Sequence, residues 1–266
     1  MIRVGIGGWT YAPWRGAFYP KGLPHARELA YAGERLGSIE INGTFYRLQS
    51  PASFRRWAEE TPDGFVFAVK GSRYVVNRGR LAEAGPALER FFGSGLSELG
   101  PKLGPLLWQL APTKRFDEAD LEGFLDLLPD RLDGVPLRYA LEVRHASFED
   151  PRFVALARRH GVAIVFADSE GHPAIADVTA PFVYARLRRT VEDEPTGYPP
   201  AALDRWAEGF RRWAEGGAPD DLPRIAPDEP GPSGPRDCFV YMISGAKVRA
   251  PAAAMALIER LGPAAQ

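Results

Sequence analysis

Cysteine is almost absent from this chain of 266 residues, which contains only Cys238. A single cysteine excludes an intrachain disulfide, and such a chain suits a reducing compartment such as the cytoplasm. The residues that follow it, Phe239 to Tyr241, are typical of a buried strand. We therefore expect an inert core thiol rather than a nucleophile.

Histidine is also scarce, and its four positions have no close spacing: His25, His145, His160 and His172. Tight zinc sites usually place nitrogen and sulfur ligands at short, regular intervals. An oxygen-rich site with one imidazole is the alternative, and it would use Glu40, Glu142, Asp168 and His145. The predicted cationic neighbours of these acids would repel a divalent cation, so we predict no bound metal.

The sequence contains no recognisable cofactor motif. Gly5, Gly7 and Gly8 follow a predicted strand, but the helix that a dinucleotide site requires does not follow them. There is no P-loop and no Gly-x-Ser-x-Gly motif. We predict no cofactor, and in particular no flavin or nicotinamide.

Net charge and long apolar runs are both low. The formal net charge of −1 creates no global field that would attract nucleic acid or an anionic membrane, although a local basic patch is compatible with it. No apolar run is long enough to span a bilayer, and the N-terminus leads directly into a predicted strand without a signal peptide. We expect a cytoplasmic protein with no membrane partner.

The chain does contain a regular alternation of short apolar strands and amphipathic segments. Strands are predicted to begin near positions 3, 38, 65, 105, 138, 163, 182 and 238. This repetition predicts an α/β fold, a TIM-barrel-like (β/α)8 barrel that forms a single domain over residues 1–266. The interval 168–182 is too short for a full helix, and 216–236 is a loop rich in Pro, Gly and Asp. We therefore predict an irregular barrel between strands six and eight.

Polar residues mark the carboxyl ends of the predicted strands. Ile39 and Ile41 alternate with Glu40 and Asn42, and this period of two places the polar pair on the interior face. Other strands end with Lys70, Gln109, Glu142, Arg144, Asp168 and Arg186. Because TIM-barrel sites lie at the carboxyl ends of the strands, we predict that these side chains share one pocket.

The residue types suggest roles within this pocket. Three acids are predicted to be catalytic: Glu40, Glu142 and Asp168. The predicted ligand-binding residues are Asn42, Lys70, Gln109, Arg144, Arg186, Trp9, Tyr11 and Tyr46. The three acids and the three cations among these residues sum to zero formal charge. A purely structural network of ion pairs is therefore an alternative. Packing is likewise an alternative role for Trp9 and Tyr11.

A series of short aromatic and polar motifs runs along nearly the whole chain. They are Gly8-Trp9-Thr10-Tyr11, Trp14-Arg15-Gly16, Phe18-Tyr19-Pro20, Glu40-Ile41-Asn42, Thr44-Phe45-Tyr46, Phe65 to Lys70, Lys102 to Gln109, Glu142 to His145 and Ala167-Asp168. This set resembles the YecE-like family, catalogued as domain of unknown function 72. The resemblance implies a TIM-barrel-like fold and no established reaction. The chain departs from the family at Met242 to Ala246, where members often have an asparagine-rich stretch.

The leading functional hypothesis is an enzyme that performs acid–base chemistry on an anionic or phosphorylated small molecule. Such an enzyme would be a cofactor-independent hydrolase, isomerase or lyase. The first alternative is a nucleic-acid-processing, endonuclease-like barrel that uses the same pocket at the carboxyl ends of the strands. The second is a non-catalytic protein that binds a small ligand.

Overall fold

One parallel sheet forms the centre of the computed structural model, which describes residues 1–229 and 231–265. Its nine strands are β1 (Ile2–Gly7), β2 (Ser38–Ile41), β3 (Val66–Lys70), β4 (Leu103–Gln109), β5 (Tyr139–Glu142), β6 (Ala163–Ile164), β7 (Phe166–Asp168), β8 (Phe182–Leu187) and β9 (Asp237–Met242). Their order across the sheet is β6-β5-β4-β3-β2-β1-β9-β8-β7. A separate antiparallel pair joins Arg131–Leu132 to Val135–Pro136.

The two edges of this sheet are consecutive pieces of one stretch of chain. Strand β6 pairs with β5, strand β7 pairs with β8, and only Val165 separates β6 from β7. The predicted sixth strand, 163–168, is therefore split into two half-strands, and each forms one of the two edges of the sheet. The sheet forms a nearly closed barrel, and the predicted TIM-barrel-like fold is confirmed.

Nine α-helices lie within the described residues, and the longer ones pack their apolar faces on the outside of the sheet. They are α1 (Glu28–Gly33), α2 (Gly43–Tyr46), α3 (Pro51–Glu59), α4 (Arg73–Val76), α5 (Gly85–Phe92), α6 (Glu118–Leu125), α7 (Pro151–Arg159), α8 (Pro200–Ala214) and α9 (Ala250–Leu261). Ser50 caps α3 by accepting a hydrogen bond from the Ser53 N–H at 3.2 Å. Asp150 caps α7 in the same way, by accepting a hydrogen bond from the Arg152 N–H at 2.9 Å. None of the helices in 1–229 and 231–265 has the length and hydropathy needed to cross a membrane.

Helix α5 is short and has 3-10 turns on either side. These turns lie at Leu81–Glu83 and Leu96–Lys102. Gly95 adopts a φ of 95° in the left-handed region, which interrupts the helix. A Cβ there would lie 2.6 Å from Pro51 Cγ, so α3 also packs too close for any larger residue.

The predicted irregularity after β7 is confirmed. Residues 169–181 contain neither helix nor strand, so no helix covers the outer face between β7 and β8. The described parts of 216–236 are also irregular up to β9. The Arg236 guanidinium ties the ends of that segment together by donating to the carbonyl oxygens of Gly216, Gly217 and Pro232 at 2.6–2.9 Å.

The barrel interior changes from apolar to polar along its axis. Small and aromatic side chains fill its lower and middle levels: Val66, Ala68, Leu107, Ala140, Ala163, Val165, Phe182, Tyr184, Phe239 and Tyr241. The Tyr184 and Tyr241 rings lie 5.1 Å apart, and the Tyr241 hydroxyl is 2.7 Å from Ser38 Oγ. Polar groups therefore occupy the interior from this level to the carboxyl ends of the strands, and Arg3 and Arg138 lie against the Phe239 ring at the other end.

Close contact between β1 and β2 at Gly5 gives a stability prediction. A Cβ on Gly5 would lie 2.0 Å from the Ser38 carbonyl oxygen. We expect Gly5→Ala to lower the free energy of unfolding by about 3 kcal/mol, because the two strands must separate to admit a methyl group. Denaturant titration measures this change.

Gly79→Ala is the matched control, since no heavy atom of the described chain lies within 4 Å of the added Cβ. It should change the free energy of unfolding by less than about 0.5 kcal/mol. Equal effects at Gly5 and Gly79 would contradict the close approach of the two strands.

Candidate functional site

A buried arginine between two carboxylates forms the base of the site. Arg186 on β8 donates through Nη2 to Glu40 Oε1 at 3.0 Å and through Nη1 to Glu142 Oε2. Glu40 on β2 and Glu142 on β5 are both 0% exposed. The Tyr184 hydroxyl donates to the other Glu40 oxygen at 2.7 Å. Three strands that do not neighbour one another are thus joined across the barrel.

Strand periodicity explains why these side chains meet. On β2, Glu40 points inward while Ile39 and Ile41 pack in the outer core. On β8, Tyr184 lies in the interior core and Arg186 has the same parity, two residues further toward the carboxyl end. Because all strands of the barrel run parallel, inward residues at their carboxyl ends converge at one mouth.

A hydrogen-bonded chain extends this cluster to Lys70. The Lys70 ammonium on β3 donates to Gln109 Oε1 at 2.7 Å, and Gln109 Nε2 donates to Glu142 Oε1 at 2.9 Å. The Phe45 ring lies 4.3 Å from Lys70 Nζ, which adds a cation–π contact. The Gln109 amide is therefore oriented by a donor on one side and an acceptor on the other.

Burial and neighbouring charges shift the pKa values of this cluster. Burial, followed by the Arg186 charge, lowers the pKa of Lys70 to about 8. Burial alone would raise the pKa of Glu142, but the charges of Arg186 and Arg144 outweigh it and hold this pKa at about 2. Burial would lower the pKa of Arg186, yet Glu142 and Glu40 raise it. Glu142 and Arg186 are thus permanently charged at neutral pH, whereas Lys70 can titrate.

Two further cations, which the sequence pattern did not identify, lie at the mouth. Arg188 Nη1 lies 3.7 Å from Glu142 Oε1, and it has no hydrogen-bond partner among the described residues. The alternation of inward residues on β8 continues through Arg188, one residue past the strand, which is the signal that was missed. Lys247 follows the loop after β9, and its ammonium lies 4.5 Å from the centre of the Tyr11 ring. No strand-end pattern could have identified Lys247.

A cavity of about 640 Å³, here called the mouth cavity, opens above this cluster. Five cationic side chains line it: Lys70, Arg144, Arg186, Arg188 and Lys247. No Asp or Glu of the described chain lines it, because Glu40 and Glu142 lie beneath Arg186. The acids and cations are therefore segregated, with the positive charges facing the cavity.

The predicted amide and aromatic residues also border the mouth cavity. Asn42, Gln109, Trp9, Tyr11 and Tyr46 all contribute to its wall. Trp9 is half-buried with its ring 5.1 Å from that of Trp57, so it packs and faces the cavity at once. Tyr46 is 63% exposed and lies at the rim.

Asp168 does not belong to this cluster, so its prediction as an inward residue is wrong. Phe166 and Asp168 share one parity on β7, and Phe166 packs 5.8 Å from Trp206 on the outer helix α8. Val165 faces the interior instead. The Asp168 carboxylate accordingly points outward, where its Oδ2 lies 3.4 Å from the Tyr198 hydroxyl. The period of two runs unbroken through β6 and β7, with Ala163 and Val165 inside and Ile164 and Phe166 outside, so the strand's own parity places Asp168 on the outer face.

His145 is also directed away from the two buried carboxylates. Its Nδ1 accepts a hydrogen bond from the Ser147 N–H at 3.1 Å and so caps the short turn Ala146–Phe148. Within 1–229 and 231–265, no group of three or more His, Cys, Asp or Glu side chains is arranged to hold a metal ion.

Two curated proteins resemble parts of this chain. YecE from Escherichia coli K12 (UPF0759) is 29% identical over 151 residues, which cover 56% of this chain and 50% of YecE. The aligned region thus spans half the length of that relative. YunF from Bacillus subtilis strain 168 (UPF0759) is 25% identical over 207 residues, which cover 73% of this chain and 68% of YunF.

A solved structure and a family model extend the resemblance to nearly the full length. The crystal structure of a DUF72 family protein from Thermotoga maritima MSB8 superposes with a TM-score of 0.72 at 20% identity and covers 98% of both chains. The model of the family described as "Protein of unknown function DUF72" matches residues 3–266. This chain therefore belongs to the DUF72 family.

Proposed function

We propose that the mouth cavity binds a small anionic molecule and that Lys70 transfers protons to or from it. The observation that carries this proposal is the set of five cations that line the cavity, against two carboxylates buried beneath them. In a partly desolvated site, cations without acidic neighbours on the cavity side attract a phosphate or carboxylate strongly.

The two glutamates are better suited to positioning Arg186 than to proton transfer. Each has both oxygens engaged by donors, and neither is accessible to a ligand. A carboxylate whose pKa is held near 2, as for Glu142, is also a weak base at neutral pH. This division of roles differs from the catalytic roles that the sequence suggested for Glu40 and Glu142.

Lys70 has the properties of an acid–base group. Its pKa of about 8 lies close to neutral pH, where both protonation states are populated and proton transfer is most effective. It borders the cavity and remains 8% exposed. Arg144 and Arg188 flank the same cavity and would hold the anion, because their guanidinium groups stay charged and offer several donors.

The size of the cavity favours a small molecule over a polymer. Its volume of about 640 Å³ falls within the range of small-ligand pockets, roughly 300–1,000 Å³. A nucleic acid would be attracted by the same positive charge. Its binding would weaken steeply with salt as counterions are released, so a strong salt dependence of DNA binding would favour that alternative.

Arg188 gives the most direct test of the anion site. Arg188→Ala removes from the cavity wall a cation whose only ion pair in the described chain is a long one, 3.7 Å to Glu142, and Arg186 and Arg144 still pair with that carboxylate. We expect the affinity for phosphate, sulfate and sugar phosphates to fall about tenfold or more, the loss of one charge-assisted hydrogen bond. Isothermal titration calorimetry measures this affinity.

Arg56→Ala is the control, because it changes the net charge equally at an exposed position of α3. It should bind anions like the wild type. If no anion binds the wild type at about 1 mM, or if both variants respond alike, the ion-pair network is structural only and the proposal fails.

Lys70 should make anion binding depend on pH. The ammonium form attracts an anion and the free amine does not, so affinity is complete below the pKa of about 8 and falls above it. Sulfate is the best probe, because its own charge stays constant in this range. Its Kd should rise about tenfold between about pH 7 and about pH 9, and Lys70→Met should bind weakly at every pH. A wild-type Kd that does not change with pH would contradict this role.

Solvent deuterium exchange separates an acid–base enzyme from a binding protein. Aldose and ketose phosphates that bind should lose the NMR signal of the C–H next to their carbonyl group in D₂O, as a basic Lys70 removes that proton. Lys70→Met should abolish the exchange. Binding without exchange for every phosphate in the panel would favour a non-catalytic binding protein.

A further inference from the structure

The missing helix after β7 leaves a second cavity on the outside of the barrel. This outer cavity has a volume of about 940 Å³ and lies between β7, helix α8 and residues 219–223. The Ala176 N–H donates to the Pro223 carbonyl at 2.9 Å, and Asp177 accepts hydrogen bonds from the N–H groups of Ile225 and Ala226. The loop that forms one wall is therefore anchored to the segment that replaces the helix.

Three aromatic side chains make one side of the outer cavity apolar. Phe166, Tyr198 and Trp206 all line it. The Trp206 ring stacks on Phe210 with an interplanar angle of 28°, which holds its orientation within α8. Such a surface suits the face of a planar ring.

Asp168 supplies an acceptor beside these rings. Its contacts are long, 3.4 Å to the Tyr198 hydroxyl and 3.9 Å to Arg189 Nη1, so its oxygens retain capacity for a donor. Burial raises its pKa, with only partial compensation by Arg189, which agrees with a carboxylate that lacks strong partners. The other two acids that line the cavity are paired more closely: Glu170 with Arg189 at 2.8 Å and Asp221 with Arg205 at 2.9 Å.

The outer cavity adjoins the mouth cavity. Arg188 and Ser244 line both of them, so the two spaces meet at these residues. A ligand whose anionic group contacts Arg188 from the mouth therefore has a second compartment directly beside it.

We propose that one ligand spans both cavities, with its anionic group among the mouth cations and a planar ring bearing N–H donors against Trp206 and Asp168. An anion joined to such a heterocycle is a nucleoside phosphate in chemical class. This inference rests on the proposed anion site and adds the identity of the group attached to the anion.

Isothermal titration calorimetry with matched probes tests this inference. The probes are inorganic phosphate, ribose 5-phosphate, the four common nucleoside monophosphates and the corresponding nucleosides. At least one nucleoside monophosphate should bind about tenfold or more tightly than ribose 5-phosphate, since its ring adds stacking and a hydrogen bond. The nucleosides should bind weakly, because they lack the anion.

Two variants locate the ring. Asp168→Asn keeps the shape of the side chain but replaces one acceptor oxygen with an NH₂ donor. Ala202→Phe fills the outer cavity from α8. Both should reduce the preference for the nucleotide over ribose 5-phosphate at least about fivefold and leave the affinity for ribose 5-phosphate unchanged. Ala201→Phe is the control, because Ala201 is exposed and does not line the cavity.

The outcomes distinguish this inference from the proposal on which it rests. If ribose 5-phosphate binds as tightly as every nucleotide, the second compartment is unused and only this inference fails. If no phosphate binds at all, the anion site and this inference fail together. Nucleosides that bind as tightly as nucleotides, with no effect of Arg188→Ala on either, would overturn a single ligand spanning both cavities.

Discussion

Arg186 carries a permanent charge inside the barrel, where an unpaired ion would be costly. Glu40 and Glu142 offset that cost, because each accepts a hydrogen bond from one of its two terminal nitrogens. The remaining carboxylate oxygens are in turn satisfied by the Tyr184 hydroxyl and by Gln109 and Arg144. Apolar packing of similar volume would usually stabilise a barrel at least as well as such a network. Stability alone therefore gives little reason for such a network, which is in line with the ligand-binding role proposed for the mouth.

The same network determines the electrostatics of the mouth. Because both carboxylates are drawn beneath Arg186, the groups that reach the cavity are cations and amides. Lys70 lies at the end of the hydrogen-bonded chain, in surroundings that are buried and positive, and both effects favour its neutral form. A cavity of this kind combines fixed positive charge from arginine with one group that titrates near neutral pH. That combination is the physical basis of the proposed acid–base chemistry on an anion.

Irregular segments of the barrel shape what lies next to the mouth. Where a regular (β/α)8 barrel has a helix between successive strands, residues 169–181 form irregular backbone with turns and leave the outer cavity open. Asp168 faces this space because it shares the outward parity of Ile164 and Phe166, while Ala163 and Val165 face the interior. The longest loop is anchored to the replacement segment through Asp177 and is closed at its base by Arg236. The wall of the outer cavity is thus built by ordered, irregular backbone.

Local patterns in the sequence were sufficient for the fold and for most of the mouth. The strand rhythm, the caps at Ser50 and Asp150 and the inward parity of Glu40, Lys70, Glu142 and Arg186 all follow from residues near one another in the chain. The period of two that places Ala163 and Val165 in the interior also places Asp168 on the outer face, so local pattern alone excludes it from the mouth. Only the tertiary structure decided which other charges share a pocket, and Lys247 joined because a distant loop folds over the mouth. Ion pairing and cavity shape depend on distances between strands far apart in the chain, and the period of two within one strand carries no information about those distances.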